Sequence, residues 1–274
     1  AMDNRPIGVF DSGMGGLTAL RELIRLLPGE DMVYFGDNAR IPYGTKSPEV
    51  IKRFALQDAR FLAQTGVKAM LVACGTVSST CIEDIRKAFP EMPVIGVVAA
   101  AAKKAAALAL AEKEKDGVIV LGTSATVKAG AFPREIAKYG DIAVESVACP
   151  MFVPLVENGF TAADDTVANA VAEKYLAPFR GKRFSCAILG CTHYPLLSDV
   201  IAKQLPGCAL ISSGSAAAEE AAETLERAGL KNGGARGTVR FYTSDEPEMF
   251  SRSAAYFLGE SAGIAAEKVE IERY

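Results

Sequence analysis

Apolar and polar positions follow two rhythms along the chain. Short apolar runs bounded by glycine, proline or polar residues recur at 6–10 (PIGVF), 31–35 (DMVYF), 68–73 (KAMLVA), 93–98 (PVIGVV) and 117–121 (GVIVL). They continue at 142–147 (IAVESV), 185–190 (SCAILG), 208–212 (CALIS) and 238–243 (TVRFYT). Such runs predict strands. Between them, stretches such as 16–27, 47–65 and 161–178 carry the amphipathic pattern of helices. The alanine-rich stretch 98–111, interrupted by Lys103 and Lys104, also reads as a helix. Short apolar strands alternating with helices imply parallel sheets covered on both faces. In these sheets ligands bind beyond the carboxyl ends of the strands.

A repeat is superposed on this rhythm. Cys74 and Cys191 each follow an apolar run, and Phe89-Pro90 and Leu205-Pro206 each precede one at nearly the same spacing. AAAAKKAAA (99–107) and SAAAEEAAE (215–223) are similar helix beginnings, and IGVFDSG (7–13) resembles VIVLGTS (118–124). Two related α/β domains of roughly 110 residues account for this better than a shared strand–turn–helix cadence. If they face each other about a pseudo-two-fold axis, Cys74 and Cys191 lie on opposite walls of one cleft.

Composition narrows the function. The chain has 274 residues, half of them apolar and 23% charged, as in an ordinary globular protein with a sizeable core. The net charge of −3, with no long basic run, argues against a nucleic-acid partner. No apolar run has the ~20 residues a membrane span needs, and no secretory leader pattern is seen, so a cytoplasmic protein is expected. Ala1 ahead of Met2 is set aside as an expression scar. The six cysteines, without a CxxC pair and with a single histidine, fit reduced thiols rather than a disulfide framework or a zinc site.

Most free cysteines are small buried hydrophobes, and Cys81, Cys149, Cys186 and Cys208 are read that way. Cys74 and Cys191 stand out because both sit at strand ends beside glycine and threonine. A thiol ahead of a helix N-terminus is expected to titrate lower than usual. Two facing thiols can remove and deliver a proton on opposite faces of one carbon, inverting a stereocentre without a cofactor. The charge that develops needs preorganised donors, for which Thr76, Thr192 and backbone N–H groups are candidates. His193, the only histidine, is placed to assist Cys191 or to carry positive charge near a carboxylate. DSGMGGL (11–17) is neither GxGxxG nor a P-loop, so its nucleotide reading is weak. The alternative places Asp11 and Ser12 in the cleft, with the glycines allowing a tight turn. DNARIPYG (37–44) is either a surface loop or a strand-end loop whose Asn, Arg and Tyr face a ligand.

Together IGVFDSGMGGLTAL (7–20), YFGDNARIPYG (34–44), VACGTVSS (72–79), CPMFVPLVENG (149–159) and LGCTHYPLL (189–197) resemble the glutamate racemases of the aspartate/glutamate racemase superfamily. The resemblance spans nearly the whole chain, and its motifs in this order are specific. It implies two similar three-layer α/β domains with mainly parallel sheets, 1–97 completed by 212–274, and 98–211, with the active site in the cleft between them. It implies Cys74 and Cys191 as the acid/base thiols, the first acting on D-glutamate and the second on L-glutamate, with Asp11, Glu157 and His193 assisting. It implies substrate contacts from Asp11, Ser12, Tyr43, Gly44, Gly75, Thr76, Thr123, Thr192 and His193. It further implies no cofactor, glutamate as the small-molecule partner, and a role in supplying D-glutamate for peptidoglycan in a bacterial cytoplasm. Racemases of this kind are often dimers, so a homodimer is an open expectation, although no stripe of residues marks an interface.

Two positions depart from the family pattern. Residue 75 is usually an asparagine that contacts substrate. Gly75 removes that amide and is expected to leave space, open to water, at a cost of ~1.5–3 kcal/mol for a hydrogen bond to a charged group. SSG at 212–214 stands where an aspartate is frequent. Other readings are a racemase of another acidic amino acid such as aspartate, a binding protein on the same fold, a one-thiol lyase or decarboxylase, and a pyridoxal phosphate enzyme. The last lacks a lysine motif.

Overall fold

The computed structural model describes residues 3–259 and 264–274, so the reading of Ala1 and Met2 lies outside the described residues. Among the described residues ten strands form two sheets: β1 (Ile7–Asp11), β2 (Met32–Gly36), β3 (Ala69–Val72), β4 (Val94–Gly96), β5 (Val118–Gly122), β6 (Val144–Ala148), β7 (Cys186–Leu189), β8 (Ala209–Ser212), β9 (Val239–Thr243) and β10 (Ala266–Lys268). The first sheet runs β10-β9-β2-β1-β3-β4 and the second β6-β5-β7-β8. Every pairing is parallel. The first sheet therefore takes strands from both ends of the chain.

All nine expected strands form. The apolar run at 93–98 is shorter as a strand than its composition implies. Gly96 is extended, and Val97 begins the helix Val97–Ala111 with its N–H bonded to Ser78 Oγ at 3.2 Å. The helix expected from 161 begins at Thr166, because the Asp165 side chain accepts the Ala168 N–H at 2.8 Å and caps it there. β10 was not expected, since AEK has neither an apolar run nor alternation.

Alternating side chains of β2 show how the first sheet is buried. Met32 and Tyr34 join the cluster that holds Leu17, Leu20 and Leu23, while Val33 and Phe35 join Ile51, Ala55 and Leu62 on the opposite face. The latter residues belong to the helix Pro48–Gln64, which starts where it does because Ser47 caps it and Pro48 presets its first turn. In the helix Val97–Ala111, Ala101, Ala102 and Ala105 are buried. It packs against the helix Ser213–Arg227, whose Ala216, Ala217 and Ala221 are also buried. Small side chains let these two backbones approach closely. Among the described residues no helix is long and apolar enough to cross a membrane.

Candidate active site

The carboxyl ends of β1, β3, β5 and β7 converge on a cavity of about 330 Å³, within the roughly 300–1,000 Å³ of small-molecule sites. Cys74 follows β3 and caps the short helix Gly75–Thr80; Cys191 follows β7 and precedes the turn Tyr194–Leu197. Both cysteines line this one cavity, although they are only 4% and 8% exposed. Ser12, Tyr43, Gly44, Gly75, Thr76, Thr123, Glu157, Thr192 and His193 line it as well. Asp11 lies behind that wall, fully buried.

Asp11 organises the wall from below. One carboxylate oxygen accepts the N–H groups of Gly13 and Gly16, each at 3.1 Å, and the other accepts the Thr192 hydroxyl at 3.5 Å. Burial raises its pKa, while the nearby His193 charge and the loop N–H groups oppose that rise. The loop glycines are needed for proximity rather than for a tight turn. None of Gly13, Gly15 and Gly16 has a positive φ, and a Cβ on Gly16 would lie 2.4 Å from that of Asp11.

Cys74 donates to Ser12 Oγ at 3.6 Å. Its pKa is pushed up to about 12 by burial and then by the Asp11 charge. This corrects the expectation that a helix N-terminus would lower it. The Val77 N–H and Ser12 do favour the thiolate, but they are outweighed.

The second wall is arranged differently. Cys191 Sγ lies 3.9 Å from His193 Nδ1, and His193 Nε2 lies 3.2 Å from Glu157 Oε1. Burial alone would lower the His193 pKa, but the contacts with Cys191 and Glu157 and the Asp11 charge lift it to about 10. These partners favour the protonated ring. The edge of Phe257 packs against it at 5.7 Å between centroids. Across the cleft, Thr76 Oγ1 and Thr123 Oγ1 share a hydrogen bond of 2.9 Å, and Thr123 also caps the helix Ser124–Ala129.

The polar loop at 37–44 is split in its roles. Tyr43 and Gly44 reach the cavity, while Asn38 and Arg40 do not. Asn38 Oδ1 accepts the Thr243 hydroxyl at 3.2 Å. Arg40 bonds Asp37 at 2.7 Å and Asp58 at 2.9 Å. The Tyr43 hydroxyl lies within hydrogen-bond distance of Asp37 and, at 2.9 Å, of Asp58, with its one proton shared between them, so only the rest of that residue faces the cavity. Burial, then the Asp37 charge, pushes the Asp58 pKa well up.

Further wall residues lie outside the motifs that the sequence marks. Ile41, Pro42, Pro150, Val153 and Pro154 form the apolar part, and Thr45 and Ser124 are added polar groups. Among the described residues the lining contains no lysine or arginine, so His193 is its candidate cation and Glu157 its acidic side chain. The donors aimed at the cavity are otherwise neutral hydroxyls and backbone N–H groups, suited to anionic oxygens in a dry site. Among the described residues no cluster of three or more His, Cys, Asp or Glu side chains is placed to hold a metal ion.

The expected space beside Gly75 is absent. A Cβ built there would stand 1.8 Å from the Gly190 carbonyl oxygen, so the opposing backbone fills it.

Known proteins fit this architecture. Residues 7–221 match the Asp/Glu/hydantoin racemase family. A glutamate racemase of Thermus thermophilus is 47% identical over 269 residues, covering 97% of both chains. The crystal structure of glutamate racemase from Francisella tularensis in complex with D-glutamate superposes with a TM-score of 0.90 at 38% identity, covering all of both chains. A Thermus thermophilus glutamate racemase in complex with beta-chloro-D-alanine superposes at 0.86 and 44% identity, also covering all of both chains. The matching motifs, the paired parallel sheets and this coverage agree: the chain belongs to the Asp/Glu/hydantoin racemase family of isomerases.

Proposed function

We propose that the protein interconverts L- and D-glutamate without a cofactor, using Cys74 and Cys191 as the two acid/base groups. The observation that carries this reading is that both thiols line one small cavity from opposite domains, which we divide as 1–97 with 212–274, and 98–211. Relatives named glutamate racemase, at 40–47% identity over nearly full length, support the choice of substrate.

The two walls differ in what surrounds each thiol. Cys74, with its pKa pushed up to about 12, holds its proton at neutral pH and is ready as an acid. Cys191 Sγ sits 3.9 Å from His193 Nδ1, within reach of a ring nitrogen that can exchange a proton with it. L-glutamate binds between these two walls. The Cys191 thiolate takes the α-proton and the C–H electron pair stays on the substrate as an enolate-like anion. The Cys74 thiol then delivers its proton to the opposite face, forming D-glutamate and leaving Cys74 as the thiolate. The reverse reaction starts from that second state. Thr76, Thr192, Ser12 and backbone N–H groups hold the carboxylates, and the Asp11 lattice keeps the first wall in place. Removing one of these donors is expected to cost roughly 10²–10³ in rate. In a bacterial cytoplasm the product would feed peptidoglycan synthesis.

Incubation with L-glutamate, and separately with L-aspartate, in D2O without added cofactor tests this. Loss of optical rotation with α-deuterium uptake is expected for glutamate. Turnover of aspartate alone would move the assignment to another acidic substrate, and turnover of neither would refute the reading.

A further inference from the structure

The turn that carries Cys191 and His193 lacks one of its own hydrogen bonds. The Tyr194 N–H donates to Cys191 O at 3.1 Å, and the Leu196 N–H donates to His193 O at 3.2 Å. The bond between these two in the series would run from residue 195 to Thr192 O. Residue 195 is proline, which has no N–H to give. The Thr192 carbonyl is therefore without a donor at that place in its turn, in a residue only 5% exposed. A buried carbonyl needs a partner from somewhere.

That partner comes from the opposite wall. Thr18 lies in the helix Leu17–Leu26, which follows β1 of the first sheet, and its hydroxyl is 3.1 Å from Thr192 O. The same hydroxyl is 2.8 Å from Gly15 O, so one proton faces two carbonyls. Gly15 O already accepts the Thr18 N–H at 3.0 Å, which leaves Thr192 O as the acceptor in greater need. The other polar end of Thr192, its hydroxyl, donates to Asp11 at 3.5 Å. Asp11 ends β1 and Thr18 opens the following helix, so one segment of the first sheet holds both ends of Thr192. Thr192 is the residue between Cys191 and His193.

We propose that Thr18 is a positioning residue for the second wall: its hydroxyl stands in for the N–H missing at Pro195 and fixes the Cys191–His193 turn against the segment that carries Asp11. The proline opens the turn to an outside donor, and Thr18 makes that donor part of the other sheet. Without the hydroxyl, Thr192 O must turn to find water. Cys191 and His193, one peptide away on either side, turn with it. A displacement of ~1 Å at a reacting group can cost ~10²-fold. The loss falls on the Cys191 side, because Cys74 is held separately through Ser12.

The test compares Thr18→Val, which keeps the shape and removes the hydroxyl, with Thr18→Ser, which keeps the hydroxyl. The rate effect rests on the proposed glutamate reading, so the first readout needs no substrate. Iodoacetamide is added, and labelling of Cys191 relative to Cys74 in the same molecules is followed by mass spectrometry. The ratio is expected to rise several-fold in Thr18→Val and to stay at the parent value in Thr18→Ser. General loosening of the protein would speed both thiols together, and an unchanged ratio in Thr18→Val would overturn the proposal. A further variant, Pro195→Ala, supplies the missing N–H. In that background Thr18→Val should raise the ratio less than it does in the parent, and an equal rise would contradict the stand-in role. Should Thr18→Val alone not fold, the double variant with Pro195→Ala is expected to fold and to label like the parent; its failure to fold would also overturn the proposal. With glutamate in D2O, α-deuterium exchange from L-glutamate is expected to fall ~10-fold or more in Thr18→Val, and exchange from D-glutamate much less. Equal losses from both enantiomers would contradict the positioning role. A parent inactive on glutamate would count against the proposed function, and the labelling ratio would still decide the role of Thr18.

Discussion

His193 Nε2 stands 3.2 Å from Glu157 Oε1, and this contact helps to keep the only imidazole of the chain charged. Because the sequence has one histidine, its ring protons are identifiable by NMR without assignment. Their titration midpoint is expected near 10, and lower in Glu157→Gln, where a neutral amide replaces the carboxylate. A midpoint near the ordinary 6.5 would remove the imidazolium from the mechanism.

The same shift links stability to pH. His193 binds its proton more tightly folded than unfolded, so its contribution is complete below about 6.5 and is lost as pH rises towards about 10. Urea unfolding between pH 6.5 and 8.5 should show stability falling with pH more steeply in the parent than in His193→Gln, by up to ~1 kcal/mol per pH unit. Parallel slopes would show that the ring is neutral when folded.

Asp11 bears on the opposite thiol. Its charge, after burial, is the second cause of the raised Cys74 pKa. Asp11→Asn should therefore lower the Cys74 midpoint, read as thiolate absorbance against a Cys74→Ser control. The variant should also lose ~1–3 kcal/mol of stability, because the amide cannot reproduce every acceptor contact to Gly13, Gly16 and Thr192. An unmoved midpoint would mean that burial alone sets it.

Arg40 ties the loop that carries Tyr43 and Gly44 to the helix Pro48–Gln64. Its partners Asp37 and Asp58 are fully buried. Arg40→Met leaves two carboxylates without their cation and should destabilise by ~3–5 kcal/mol. Arg40→Lys restores charge without the forked geometry and should recover only part of the loss. If the loop positions the substrate, KM should rise in the lysine variant. Unchanged stability and KM would show that this buried network neither holds the loop nor positions the substrate.

The fold and most of the site are legible in the sequence for one reason: parallel strands buried on both faces must be apolar throughout, and the chemistry sits just past their ends. Cys74 and Cys191 are found that way, and so are Asp11 and Ser12, whereas Thr123 enters only through the family resemblance. What stays hidden depends on contacts between distant segments. Asp58 reads as an ordinary polar position of an amphipathic helix, and nothing local marks it as buried against Arg40 and Tyr43. The raised pKa of Cys74 requires knowing that Asp11 lies beneath it. Gly75 reads as an omission with space beside it, because the carbonyl that occupies the space belongs to residue 190. β10 escapes because three residues, AEK, earn their strand from pairing with β9 rather than from composition.

The central claim is that each thiol serves one face of the substrate. Rates of net racemisation cannot separate the two, because enantiomers have equal free energy and kcat/KM must be equal in both directions. Exchange of the α-proton for deuterium can, since it reports removal of the proton alone. The decisive measurement is initial deuterium exchange from each enantiomer of glutamate in Cys74→Ser and Cys191→Ser. Cys74→Ser should lose exchange from D-glutamate far more than from L-glutamate, and Cys191→Ser should show the reverse. Equal, mild losses from both enantiomers in both variants would contradict the two-thiol mechanism.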